Sequence, residues 1–296
     1  MRASQSLSGA KKKLRDLLNS PGVIATPGVF DAIGARVVEA AGFPAAYMGG
    51  YAVEATFGNP DLGLLSMAEV AARAETIASS VSIPIVADGD DGYGNALNVA
   101  RTVRAFERAG VAAIQLEDQQ SPKKCAALSD MRLVTIAEFV GKVKAAVDAR
   151  HDEDFLIIAR TDANRTFGLE PALERALAYE EAGADITFVQ LPRTIDEIKK
   201  IVATCRKPLL ITVSESALVP IVPLEEYERL GMKLVVYPLT LLIASVSAMG
   251  RAARHLRATG SYESPMTGLV TWEELDDGLL RMGEIRALAA QYGAER

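Results

Sequence analysis

The sequence predicts a (β/α)8 barrel of the TIM type, and three observations lead to it. Short apolar runs alternate with stretches of helical periodicity about eight times, whereas an open doubly wound sheet usually has nearer five or six strands. The runs are apolar at consecutive positions, as in Ile83-Pro84-Ile85-Val86-Ala87, which suits parallel strands covered on both faces. No Pro/Ser-rich linker or low-complexity segment divides them. Residues 1–296 therefore read as one domain, a barrel over about 20–258 with a helical tail over about 260–296.

In chain order, an amphipathic helix over Ser8–Leu18 stops at Asn19-Ser20-Pro21-Gly22. Val23–Thr26 is the first strand, Pro27-Gly28 a turn, and Asp31–Ala41 a helix on which Ile33, Val37 and Ala40 recur at helical spacing. Strand Ala45–Met48, helix Met67–Ser79, a strand from Ile83, helix Ala96–Ala109 and strand Ala112–Leu116 follow. On the last of these helices Val99, Val103 and Phe106 share one face. Helices over Ile136–Ala149, Pro171–Ala182, Ile195–Ala203 and Leu224–Leu230 then alternate with strands over Phe155–Ala159, Ile186–Val189, Pro208–Val213 and Leu234–Tyr237. Leu239–Met249 reads as a buried helix, Gly260–Thr267 as irregular chain, and Trp272–Tyr292 as one further amphipathic helix.

Composition narrows the function. With 49% apolar residues the chain has a sizeable core, and its net charge of -6 leaves no electrostatic footprint for nucleic acid or an acidic membrane surface. Lys11-Lys12-Lys13 reads as a solvated helix face. Two cysteines, Cys125 and Cys205, are too few for a disulfide framework or a structural zinc site, which suits a reducing cytoplasm. The N-terminus has no apolar signal core, and no run approaches the roughly 18 apolar residues of a membrane span.

In such a barrel the working residues lie at the carboxyl ends of the strands. Those positions hold Asp61 after the second strand, Asp88, Asp90 and Asp91 after the third, Glu117 and Asp118 after the fourth, and Arg160 and Asp162 after the fifth. Carboxylates this crowded repel one another and need a cation, donors or water, and a hard divalent ion with oxygen ligands is the most economical partner. Gly92-Tyr93-Gly94 is no dinucleotide fingerprint, since Leu97 stands where a third glycine belongs, and the glycines read as turn residues. His151 and His255 lie away from this rim and read as surface residues. Cys205 reads as an inert core thiol. Cys125 instead follows Lys123 and Lys124 in a polar loop, where positive neighbours favour thiolate and loop motion brings it to a substrate.

With these residues in view, the chain resembles the isocitrate lyase and phosphoenolpyruvate mutase superfamily, most closely its methylisocitrate lyase and dimethylmalate lyase branches. The likeness runs from Pro27-Gly28-Val29-Phe30-Asp31-Ala32 to Val236-Tyr237-Pro238-Leu239-Thr240. Its specific parts are Asn59-Pro60-Asp61-Leu62-Gly63, Asp88-Gly89-Asp90-Asp91-Gly92-Tyr93-Gly94, Leu116-Glu117-Asp118-Gln119, Lys123-Lys124-Cys125 and Ile158-Ala159-Arg160-Thr161-Asp162. The resemblance implies Mg2+, with Mn2+ as a substitute, held at Asp88 with Asp90 and Glu117 close by and Asp61 near. It implies that Arg160 binds a substrate carboxylate, that backbone donors at Gly49 and Gly50 hold an α-oxo or α-hydroxy acid, and that Cys125 donates a proton. It also implies a C-terminal helix exchanged between subunits of a dimer or tetramer.

The departures from the family pattern concern the substrate. Cys125-Ala126-Ala127 stands where the lyases continue Cys-Gly-His, Met48 where a Ser or Thr precedes the glycines, Gln190-Leu191-Pro192 where they have Glu-Ala-Pro, and Thr212 where they have Asn. Tyr47, Gln190 and Thr212 complete the substrate-binding set, with Tyr47, Tyr93 and a metal-bound water all open as the base. The expected activity is retro-aldol cleavage of a small 2-hydroxy di- or tricarboxylic acid. The alternatives are decarboxylation of oxaloacetate or hydrolysis of a 2-oxo acid on the same metal, and a non-catalytic binder of 2-oxo acids.

Overall fold

The computed structural model describes residues 2–128, 130–214, 218–261 and 269–294, with side chains from residue 9 onward. Among these the strands are β1 (Ile24–Val29), β2 (Ala46–Met48), β3 (Ile85–Asp88), β4 (Ala113–Glu117), β5 (Leu156–Thr161), β6 (Ile186–Val189), β7 (Leu210–Thr212) and β8 (Leu234–Tyr237). They run parallel in the order β6-β5-β4-β3-β2-β1-β8-β7. β6 and β7 meet through a parallel bridge between Thr187 and Leu209, where the Thr187 N–H donates to Pro208 O at 3.0 Å. The ring is thereby nearly closed, a (β/α)8 barrel as the sequence predicts.

The alternation of side chains along each strand decides what each residue faces. Tyr47, Val86, Ile158, Phe188, Leu210 and Val236 pack with one another in the barrel interior. Their neighbours Met48, Ile85, Ala87, Ile114, Leu116 and Ile157 pack outward onto Ile77, Val103, Phe106 and Phe139 of the helices. Each fully buried aromatic or aliphatic side chain contributes about 1.5–3 kcal/mol by leaving water. Followed toward the carboxyl ends, the inward parity continues to Asp88 on β3, Gln115 and Glu117 on β4, Arg160 on β5, Gln190 after β6 and Thr212 on β7. The apolar interior thus passes, at one end, into a polar floor.

The helices of this part are α1 (Arg2–Asn19), α2 (Ala32–Ala40), α3 (Gly50–Thr56), α4 (Met67–Ser80), α5 (Ala96–Arg108), α6 (Ile136–Ala149), α7 (Ala163–Phe167), α8 (Leu169–Glu181), α9 (Ile195–Thr204) and α10 (Leu224–Leu230). Several starts are capped: Ser66 and Glu69 form a reciprocal capping box at α4, and Asn95 and Asn98 do the same at α5. Three expectations are corrected here. β1 runs on through Pro27-Gly28, because Gly28 lacks the Cβ that would meet the Pro238 carbonyl. α2 buries Gly34, Ala35 and Val38 rather than the Ile33 and Val37 face. Lys11 is buried, its ammonium 3.1 Å from Glu107 and 3.3 Å from Asp152, which ties α1 to the barrel; only Lys12 and Lys13 are exposed.

Contacts divide the chain into two units, Met1–Leu242 and Ile243–Arg296. The second contains most of α11 (Thr240–Thr259), a π-helical turn over Glu274–Leu279 and α12 (Met282–Gln291). The expected buried helix at Leu239–Met249 is instead part of α11, which has no buried residue, with Ile243, Val246 and Met249 exposed. The single helix expected over Trp272–Tyr292 is interrupted at Arg281, whose φ of 57° is left-handed. The irregular segment expected at Gly260–Thr267 lies mostly outside the described residues.

Candidate active site

One cavity of about 290 Å³ at the polar end of the barrel is lined by Tyr47, Gly49, Gly50, Asp61, Asp88, Glu117, Lys123, Cys125, Arg160, Gln190 and Thr212, among others. The residues expected to bind metal or substrate or to act in catalysis line it except Asp90, which is buried beside it with Oδ1 2.8 Å from the lining Lys123 ammonium; Asp91, Tyr93, Asp118 and Asp162, also read at the rim, do not line it.

The carboxylates arrive by short-range geometry. Asp90, with φ 47°, turns the chain back after β3, and its N–H donates to Asp88 Oδ1 at 3.2 Å. Gln115 Nε2 donates to the same oxygen at 3.1 Å, while Gly50 N–H reaches Asp88 Oδ2 at 3.2 Å. Gly50 is required: a Cβ there would stand 2.9 Å from Asp90 Oδ1 and 3.3 Å from Asp88 Oδ2. Asp91 faces away from the cavity, toward the buried Lys142. Burial, and then the charge of Asp90, push Asp88 above the ordinary carboxylate range; burial pushes Glu117 well above it, against the pull of Arg160.

Two cations compensate this charge. Lys123 is ion-paired with Asp61 and Asp90, and although burial works against its charge, Asp90, Asp61, Glu117 and Asp88 together hold the ammonium well above its usual range. Arg160 donates from Nε to Asp162 Oδ2 at 3.1 Å and from Nη2 to Asp162 Oδ1 at 2.9 Å, and its Nη1 lies 3.0 Å from Glu117 Oε2. A guanidinium has five N–H groups, so this clamp leaves others for a ligand.

The residues present fit a hard divalent ion. Glu117 Oε1 is buried without a hydrogen-bond partner, Asp90 Oδ1 is met only by the Lys123 ammonium, and Asp88 and Glu117 are held at a cost that a nearby cation would relieve. Among the described residues no three His, Cys, Asp or Glu side chains form a ready-made cage. Magnesium suits such a site because it keeps several waters and takes only one or two carboxylates.

The thiol of Cys125 departs from expectation. Its lysine neighbours do not make it a thiolate: burial, with Asp61 adding to it, raises the thiol above its ordinary 9.0 and outweighs the opposing pull of Lys123, which is turned into Asp61 and Asp90. Cys125 is therefore a neutral acid and not a thiolate. Its N–H donates to Asp61 O at 3.1 Å, which fastens the loop to the rim. Cys205, pushed up to about 12 mainly by burial, is inert as expected.

The phenols of Tyr47 and Tyr93 are raised well above 10.0 by burial and by the nearby carboxylates. Tyr47 donates to Gln115 Oε1 at 3.1 Å and Tyr93 to Asp90 Oδ2 at 3.2 Å. At the opposite wall Gln190 Oε1 accepts from Thr212 Oγ1 and from Leu191 N–H, each at 3.0 Å, so the Gln190 amide is held by its neighbours. Ala126, Ala127, Leu191 and Leu218 make the adjoining surface apolar. Sequence reading gave no role to Gln115, and gave Lys123 only that of a positive neighbour of Cys125 rather than a partner of Asp61 and Asp90. A glutamine inside the apolar β4 run, two residues before Glu117 and so on the same face, was the available signal for Gln115.

Comparison with known proteins agrees with this geometry. A family model described as phosphoenolpyruvate phosphomutase matches residues 14–257. The chain is 42% identical to 2,3-dimethylmalate lyase of Eubacterium barkeri over 96% of its own length and 98% of that protein. It is 38% identical to 2-methylisocitrate lyase of Aeropyrum pernix over 89% and 85% of the two chains. A phosphonopyruvate hydrolase solved in complex with oxalate and Mg2+ superposes with a TM-score of 0.87 at 33% identity, covering 96% of this chain and 99% of that one. The chain belongs to the phosphoenolpyruvate mutase and isocitrate lyase superfamily.

Proposed function

We propose that the protein is a Mg2+-dependent carbon-carbon lyase for a small 2-hydroxy di- or tricarboxylic acid of the dimethylmalate or methylisocitrate type, with Mn2+ able to substitute. The observation that carries this reading is that a neutral thiol, Cys125, shares a cavity with Arg160 and the buried carboxylates. Retro-aldol cleavage needs both ends of that arrangement: cations where the 2-oxo product forms, and an acid where the other fragment leaves.

Arg160, clamped by Asp162 and Glu117, offers its remaining N–H groups to a substrate carboxylate, beside Gly49 and Gly50. Asp88, with Asp90 and Glu117 close by and Asp61 at the rim, would hold a divalent ion, which when bound supplies Lewis-acid stabilisation of charge on the α-oxygen. The 2-hydroxyl gives its proton to a water in the cavity and its oxygen becomes the carbonyl oxygen as the C–C bond breaks; the electron pair of that bond passes to the departing fragment, and the Cys125 thiol protonates it. Tyr47 and Tyr93 stay protonated at neutral pH and act as hydrogen-bond donors rather than as the base. Gln190 and Thr212 form the wall that meets the departing fragment.

The protein is further read as a cytoplasmic homo-oligomer, a dimer or tetramer. The two cysteines are unpaired. The second unit leaves Ile243, Val246, Met249, Ile285 and Leu288 exposed, an apolar surface suited to another copy of the chain. The substrate is a small carboxylic acid, with no nucleic acid or membrane partner; no helix among the described residues is long and apolar enough to cross a membrane.

Hydrolysis or decarboxylation of a 2-oxo acid is the second reading, favoured by the likeness to a phosphonopyruvate hydrolase. Incubation with 2-hydroxy and 2-oxo acids, with and without Mg2+, separates the two by products. A 2-oxo acid and a saturated carboxylate in equal amounts mark the lyase. CO2, or cleavage with uptake of water, marks the alternative, and binding without turnover marks a sensor.

A further inference from the structure

We infer that Asp118, Arg175 and Tyr179, none of which lines the cavity, are positioning residues that aim Arg160 at the substrate. Asp118 follows Glu117 and so has the opposite parity, pointing out of the barrel interior toward α8, and its side chain is fully buried. Its Oδ2 accepts from Thr161 Oγ1 at 2.7 Å, Tyr179 Oη at 2.8 Å and Arg175 Nη1 at 2.9 Å. Its Oδ1 accepts from the Asp162 N–H at 3.0 Å. Arg175 and Tyr179 stand one turn apart on α8, and Arg175 Nη1 also donates to Tyr179 Oη at 3.0 Å.

The two residues that Asp118 holds on β5 and its exit are the two that follow Arg160. Thr161 is gripped by its hydroxyl and Asp162 by its backbone, and the Asp162 carboxylate in turn grips Arg160 at Nε and Nη2. Gln119 Nε2 steadies the same Asp162 oxygen at 3.3 Å. The main chain repeats the tie, since the Asp118 N–H donates to Arg160 O at 3.2 Å. α8 therefore bears on the plane of the guanidinium through two buried carboxylates in series, Asp118 and then Asp162.

A role in stability alone explains this arrangement poorly. A buried ion pair is weak support for a fold, because well-packed apolar side chains of similar volume do as well or better. What the polar arrangement provides is direction: Phe139 packs edge-on against the Tyr179 ring with centroids 4.5 Å apart, which fixes where its hydroxyl points.

The inference rests on Arg160 as the carboxylate-binding residue, and the test keeps the two claims apart. Oxalate is the probe, a two-carboxylate stand-in for the 2-oxo acid head, titrated calorimetrically into the full-length protein with Mg2+ present. Arg160→Lys tests the underlying reading and should weaken oxalate by more than about tenfold. Tyr179→Phe and Arg175→Met test the inference, each weakening oxalate by about 5- to 30-fold, with Arg175→Lys recovering part of the loss. Melting temperatures recorded alongside identify a merely structural effect. Should Tyr179→Phe and Arg175→Met melt lower yet bind oxalate within about twofold of wild type, the inference is overturned and the Arg160 reading stands. If Arg160→Lys binds as wild type does, or wild type does not bind oxalate, both fall. Tyr179→Phe, which removes one oxygen, decides the matter if Arg175→Met does not fold.

Discussion

The Lys123 ammonium stands 2.8 Å from Asp90 Oδ1 and is paired at the same time with Asp61, two residues before the thiol of Cys125. One buried cation thus both balances the carboxylate floor and anchors the loop that carries the acid. Removing one partner of a buried charge set strands the others. In metal-free protein Lys123→Met should cost about 3–5 kcal/mol in urea unfolding, and Mg2+ should restore a larger part of that loss than it adds to wild type. Equal Mg2+ responses in the two proteins would show that Lys123 and the ion do not share these carboxylates.

Asp88 and Glu117 give a pH dependence whose sign follows from burial. Their pKa values in the folded chain lie above the unfolded ones, so in metal-free protein the protonated forms contribute stability below the ordinary carboxylate range, and this is lost as pH rises through the raised values. A divalent ion must displace those protons. The rise in melting temperature on adding Mg2+ should therefore grow as pH is raised from the ordinary carboxylate range through the raised values of these two groups. Chelation should abolish turnover, and Asp88→Ala should cost more than Asp90→Ala. A Mg2+ effect that is flat across this pH window would remove these two carboxylates from the metal site.

On the proposed reading, the wall formed by Gln190 and Thr212 meets the departing fragment and not the 2-oxo acid head. Thr212→Ala, which takes one donor from Gln190 Oε1, should change KM for the best substrate by about 3- to 10-fold while leaving oxalate affinity within about twofold. Equal effects on both ligands would place this wall at the head instead.

The polar floor was largely legible in the sequence, because Asp88, Glu117 and Arg160 each end an apolar run, and alternation along a strand delivers them to one side. Parity alone would also have separated Asp118 from Glu117 and revealed the outward contacts to α8. Other features depend on partners distant in sequence. Lys11 looked solvated until Glu107, 96 positions away, was brought to it by α5. Cys125 looked like a thiolate because its neighbours in the chain are cationic, but burial outweighs the pull of Lys123, which is itself paired with Asp61 and Asp90. The short α3 and α7 are too brief to show a helical period, and the apolar residues of α11 signal burial in the sequence although none of them is buried in this chain.

That last face bears on assembly. On α12 Ile285 and Leu288 are exposed, and no residue of the helix is buried. Sedimentation at micromolar concentration should find a dimer or tetramer, and Ile285→Glu with Leu288→Glu should shift it toward monomer. A stable wild-type monomer would contradict the proposed exchange of the tail.

The most direct test of the lyase reading is the turnover of Cys125→Ser on the best 2-hydroxy acid found. A neutral thiol that protonates the departing fragment predicts a fall in kcat of about 10²- to 10⁴-fold, with oxalate affinity almost unchanged and the alkaline fall in wild-type activity beginning only above the ordinary thiol pKa of 9.0. Near wild-type turnover in Cys125→Ser would contradict cleavage with Cys125 as the acid and favour metal-driven decarboxylation or hydrolysis.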